Sequence, residues 1–116
     1  FLQTPHLPHG WDAGLFFEEV DATLLCSDLF FAPGETEALI EDGVVARARE
    51  AMLAGVESPL AKDVPFTPYT MATLERLAGL EPRVLAVMHG ASYRGDGGAA
   101  IRELARSIEE VHGRAV

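Results

Sequence analysis

Three polar residues of this chain combine metal-binding side chains with positions where a fold can hold them: His9, Asp28 and His89. Imidazole suits zinc and iron, and a carboxylate can bridge two cations and offset their mutual repulsion. No local signature such as His-Glu-x-x-His joins them, because they lie far apart in the sequence. Each also has a plainer reading. A lone His at a strand end is more often a hydrogen-bonded structural residue, and an Asp after a strand is more often a cap or turn residue. What raises the metal reading is their common placement, at the ends of predicted strands or in the loop that feeds one. Strand ends fix ligand geometry better than loops do.

The elements that must position them follow from the apolar pattern. Residues 1–14 are rich in Pro, His and Gly and read as a loop. Leu15-Phe16-Phe17 and Thr23-Leu24-Leu25-Cys26 flank the polar, turn-like Glu18-Glu19-Val20-Asp21-Ala22. This predicts a largely buried β-hairpin over 15–17 and 23–27, ended by Ser27-Asp28. Pro33-Gly34 then breaks the chain. Val44, Val45, Ala48 and Met52 share one face of a helix over about 43–54, with Arg47, Arg49 and Glu50 off that face and Gly55 to end it. Residues 56–67, with two prolines, read as a loop. Thr67-Pro68 reads as N-cap and first position of a helix whose stripe is Met71, Leu74, Leu77 and Ala78, stopped at Gly79.

Val84-Leu85-Ala86-Val87-Met88 has no polar alternation, which predicts a strand over 83–88 buried on both faces, with His89-Gly90 at its C-terminal end. A Gly-rich loop follows. Asp96 then caps a last helix over about 98–111, with Ile101, Leu104, Ala105, Ile108 and Val111 at helical spacing and Gly113 closing it. The fold class read from this order is α/β.

Composition bounds the partners. At 48% hydrophobic and 23% charged, the 116 residues are globular in character, one small domain or part of a larger one. Acids outnumber bases 18 to 9, and a net charge of −9 argues against nucleic acid as a partner. No apolar run approaches the roughly 20 residues needed to cross a bilayer, and no leader marks export. The one cysteine, Cys26, lies in an apolar run and reads as a small buried hydrophobe, which fits a reducing cytoplasm.

One longer pattern is more specific. Thr4-Pro5-His6-Leu7-Pro8-His9-Gly10-Trp11-Asp12, a hairpin, Leu24-Leu25-Cys26-Ser27-Asp28-Leu29-Phe30, and later Met88-His89-Gly90 resemble the metallo-β-lactamase superfamily. The branch containing flavodiiron proteins and related oxygen-binding di-iron domains is the most similar. The resemblance covers nearly all of the chain. It implies half of an αββα sandwich, with residues 1–116 as its C-terminal part. It also implies His9, Asp28 and His89 as metal ligands, Asp28 being the bridge, around two divalent ions of zinc or iron in the full-length protein. The family's opening His-x-His-x-Asp or His-x-Glu-x-Asp cluster is missing from this sequence, whose histidines are His6, His9, His89 and His112. With Phe1 in place of Met, this implies an N-terminal half outside the chain. It also implies a site here that is inactive and empty or partly filled, and a chain that either forms homo-oligomers or associates with that missing half.

Other residues are candidates of lower rank. His6 reads as a further ligand or a hydrogen-bond donor that supports one, Asp12 as a residue supporting the site or a turn, and Tyr93 as a hydrogen-bond donor to substrate or a packing residue. His112 lies near a helix C-terminus, where the dipole favours a cation. The loop Arg94-Gly95-Asp96-Gly97-Gly98 reads as an anion cradle or a simple helix approach. Three functions remain open: a two-metal hydrolase of an unknown small molecule, a di-iron protein that binds or reduces dioxygen or nitric oxide, and a non-catalytic folding or interaction unit.

Overall fold

Two five-residue strands, β2 (Gly14–Glu18) and β3 (Thr23–Ser27), form the hairpin that the two apolar runs predict. The computed structural model describes residues 1–4, 7, 14–55 and 66–113 of the chain. One carboxylate closes the turn. Glu18 accepts from the Val20 amide at 2.6 Å and from the Asp21 amide at 2.9 Å, and Ala22 takes a left-handed φ of 55°.

The hairpin is part of a six-stranded sheet with β1 (Leu2–Gln3), β4 (Leu39–Ile40), β5 (Val84–Val87) and β6 (Ser92–Arg94), in the order β1-β2-β3-β5-β6-β4. At its centre β3 and β5 run parallel, with Leu24 level with Leu85. A parallel pair needs a long crossover, usually helical. Here the crossover includes both α1 (Val44–Gly55) and α2 (Thr70–Ala78), and α3 (Gly97–His112) follows β6.

Alternation along the strands sends Leu15, Leu24, Cys26 and Leu85 to one face. There they share a core with Val44, Val45 and Ala48 of α1, Leu74, Leu77 and Ala78 of α2, and Ile101, Leu104, Ala105 and Ile108 of α3. Most of the helical stripes expected from the sequence are buried, while Met52, Met71 and Val111 are only partly so. Burial also settles Cys26: its thiol is fully enclosed and pushed up to about 12 by loss of solvation.

Several expectations need correction. In β5 only Leu85 is buried, and its neighbours are half-buried, so this strand is not covered on both faces. The helices pack on one side of the sheet, and the hairpin residues Phe16 and Leu25 stay exposed on the other. Residues Leu2–Gln3 lie in a strand, although the segment reads as a loop, and Ser92–Arg94 pairs with β5 inside what reads as a Gly-rich loop. Strands of two or three residues are too short to show a period of their own. Finally, α2 begins at Thr70 rather than Pro68. Thr67 instead builds a turn, its Oγ1 accepting from the Tyr69 amide at 3.1 Å while its own amide donates to Thr70 Oγ1 at 2.9 Å.

Asp96 does cap α3, accepting from the Ala99 amide at 2.9 Å. Removing that acceptor in Asp96→Ala should cost about 1 kcal/mol. A urea denaturation series would check this, and an unchanged midpoint would show that the cap contributes nothing. The glycines behind it are also explained. A Cβ on Gly97 would strike the Pro82 backbone, and one on Gly98 would meet the Ala78 carbonyl oxygen at 2.9 Å. The start of α3 is thus seated against the end of α2 and the approach to β5. Among the described residues, no helix is long and apolar enough to cross a membrane.

Candidate metal centre

Because β3 and β5 are parallel neighbours, their C-terminal ends emerge side by side. Asp28 follows the last residue of β3, and His89 follows β5 by two. The backbone between them is irregular. The β3–β5 register shifts between Leu25 and Ser27, and Ser27 takes a left-handed φ of 52°, unusual for a residue other than glycine. Such a bulge re-aims the side chain that follows it. Phe31 and Leu29 close turns onto Asp28 and Cys26, their amides donating to those carbonyls at 3.1 and 3.0 Å. Two further bonds tie the loops together: Met88 N donates to Ser27 O at 3.1 Å, and Ala32 N to His89 O at 2.8 Å.

The outcome is a direct approach of the two side chains, His89 Nε2 standing 3.2 Å from Asp28 Oδ1. Asp28 is the more enclosed, its side chain 25% exposed against 56% for His89. The Phe31 ring meets the imidazole edge-on, with centroids 5.8 Å apart. Phe31 and the Ala32–His89 backbone bond were not legible as site features, since Phe30-Phe31 is only one more apolar pair in the sequence.

The 3.2 Å distance is that of a direct His–Asp ion pair, and two ligand atoms sharing one ion would stand about equally far apart. Two donors about 2.0–2.1 Å from one tetrahedral ion stand about 3.3 Å apart. A carboxylate oxygen and an imidazole nitrogen are also ligand types that zinc and iron accept. Among the described residues no group of three or more His, Cys, Asp or Glu side chains is placed to hold a metal, so Asp28 and His89 stand as a pair. His6, His9 and Asp12 lie outside the described residues. Gly14, where the chain enters β2, is at the same end of the sheet. Phe16 is level with Leu25 in this antiparallel pair, which carries Gly14 toward Ser27.

Tyr93 sits elsewhere. It is level with Leu85 on β5 and packs partly buried against the core, which is the packing role considered for it. His89 lies four positions beyond Leu85, up to about 13 Å along the chain. His112 departs from the dipole expectation. Its Nε2 is buried with no hydrogen-bond partner among the described residues, and burial lowers its pKa below the ordinary 6.5. The folded state therefore resists a proton that the unfolded chain accepts, and this residue costs stability as the pH falls below the ordinary histidine range. An NMR titration should place its midpoint under 6.5. A midpoint at or above that value would show a solvated ring.

Comparison of the chain with protein-family models, with curated proteins and with solved structures gives no match.

Proposed function

We propose that the chain is the C-terminal half of a metallo-β-lactamase-like domain, and that Asp28 and His89, with His9, are its share of a two-metal site. The observation that carries this reading is the 3.2 Å approach of Asp28 Oδ1 and His89 Nε2 at the ends of parallel strands. The favoured activity in the full-length protein is metal-dependent hydrolysis of a small molecule, the fragment alone being inactive. Bound zinc or iron would supply Lewis acidity and a water acidic enough to ionise near neutral pH.

The chain's own residues do the holding. As a ligand, His89 Nε2 must offer its lone pair, which places the ring proton on Nδ1. Asp28, more enclosed and set by the bulge at Ser27, offers carboxylate oxygens that can serve two ions at once. The net charge of −9 favours a cationic ligand and disfavours polyanionic substrates. A cytoplasmic setting fits the single, buried cysteine.

A second reading, di-iron chemistry on dioxygen or nitric oxide, is favoured by the apolar flanks of the pair. Phe31 lies against His89, and Met88 next to it in the chain is exposed. Small uncharged molecules would meet little to repel them there.

Titration of the purified chain with zinc or ferrous ion, under anaerobic conditions for the latter, tests the metal reading. Binding should occur with at most one ion held firmly, and His89→Ala should weaken it at least ~10-fold. Equal binding by the wild type and His89→Ala would remove the basis for the proposal.

A further inference from the structure

Two phenylalanines stand shortly after Asp28, and the fold uses them differently. Phe30 is buried in the core at 3% exposure, whereas Phe31 is 45% exposed. Phe30 takes a left-handed φ of 66°, which is rare for a bulky residue and is kept only where the surroundings hold it. The core holds the Phe30 side chain, and the turned backbone sends the next side chain outward. There the Phe31 ring meets the His89 imidazole at 71°, with centroids 5.8 Å apart. Edge-to-face packing of this kind is an arrangement that aromatic rings prefer.

Phe31 thereby touches both members of the pair. Its amide donates to Asp28 O at 3.1 Å and closes the turn that follows that carboxylate. Its ring lies against His89. The next residue, Ala32, donates from its amide to His89 O at 2.8 Å. Gly90, at a φ of 153° that glycine allows, lets the two backbones come close: a Cβ there would stand 3.4 Å from Ala32 N. Residues 31 and 32 therefore join the end of β3 to the end of β5.

These backbone contacts fix the position of His89 but leave the rotation of its ring open. The side chain is 56% exposed, so much of its surface meets solvent and not a packed wall. We propose that Phe31 is a positioning residue for His89: its ring restricts rotation of the imidazole and keeps Nε2 turned toward Asp28.

The consequence for metal binding rests on the two-metal reading above, whereas the restriction itself does not. Three staggered χ1 wells and about two χ2 wells give an unrestrained imidazole roughly six orientations. Apparent affinity falls with the fraction of time spent in the competent one. Attraction to Asp28 favours the same orientation and keeps the loss under that limit. Removal of the Phe31 ring should therefore weaken binding about 2- to 6-fold, less than removal of the His89 ligand itself.

Phe31→Ala removes the ring and keeps the amide, and Phe31→Tyr keeps both. NMR of the metal-free chain reads the restriction directly. Wild type and Phe31→Tyr should show cross-peaks between the two rings, with one large and one small Hα–Hβ coupling at His89. In Phe31→Ala the two couplings should average, which a purely structural loss in a still-folded chain would not produce. Zinc titration should then give about 2- to 6-fold weaker binding for Phe31→Ala and wild-type affinity for Phe31→Tyr. Leu53→Ala, on the exposed side of α1, should change neither readout. His89 couplings unchanged in Phe31→Ala, or already averaged in the wild type, would overturn the proposal. So would a Phe31→Tyr chain that behaves like Phe31→Ala, or averaged couplings with zinc affinity unaltered. A wild type that binds no zinc, with couplings that respond as expected, would support the positioning role and remove the metal reading instead.

Discussion

On the two-metal reading proposed above, Asp28→Ala is expected to disrupt metal binding in the full-length protein more than His6→Ala does. Asp28 is the more enclosed member of the pair, set 3.2 Å from His89 by the bulge at Ser27 and the turn that follows. A carboxylate there neutralises charge at each ion it touches, and no other described acidic side chain is placed with His89 to replace it. In the proposed site, losing the bridge would take a bond from both ions at once, while a supporting histidine would affect one at most. The metal content of each variant after dialysis, by elemental analysis, gives the answer. Two tightly held ions per chain in Asp28→Ala would end the binuclear reading. Loss of metal in His6→Ala but not in His9→Ala would move the first ligand from His9 to His6.

Leu77→Ala should be among the most damaging of the simple core truncations. Leu77 is fully buried on α2, in the core shared by the sheet with α1, α2 and α3. Truncation there removes the transfer energy of the lost atoms and leaves a cavity that the packed surroundings only partly close, about 2–5 kcal/mol together. That is a large share of the roughly 5–15 kcal/mol of an ordinary domain, and a small domain holds less in reserve. Leu53→Ala is the matched control: also a helical leucine, but 52% exposed on α1, with an expected change of at most about 1 kcal/mol. Urea unfolding of both variants at one protein concentration makes the comparison. A Leu77→Ala loss no larger than that of Leu53→Ala would mean that α2 does not pack as described.

The hairpin and the three long helices were legible in the residues, because their apolar periods extend over enough positions to be read. Leu74, Leu77 and Ala78, or Ile101, Leu104 and Ile108, recur at helical spacing and are buried accordingly. The cap at Asp96 was legible for a local reason: its acceptor is three residues from its donor. Asp28 and His89 could be singled out by type and by their place after apolar runs, with a family resemblance to connect them. Their approach could not be read, since it depends on β3 and β5 lying parallel and adjacent, and on a register shift that no local pattern announces. The short strands β1, β4 and β6 were equally hidden, as segments of two or three residues become strands only when a neighbour supplies the hydrogen bonds. The sidedness of the sheet also waited for the tertiary structure. Val84 to Met88 reads as apolar throughout, yet which of its residues meet helices and which meet water depends on where the crossover packs α1 and α2. Period and capping act within a few residues, whereas pairing, register and coverage are long-range choices made by the whole chain.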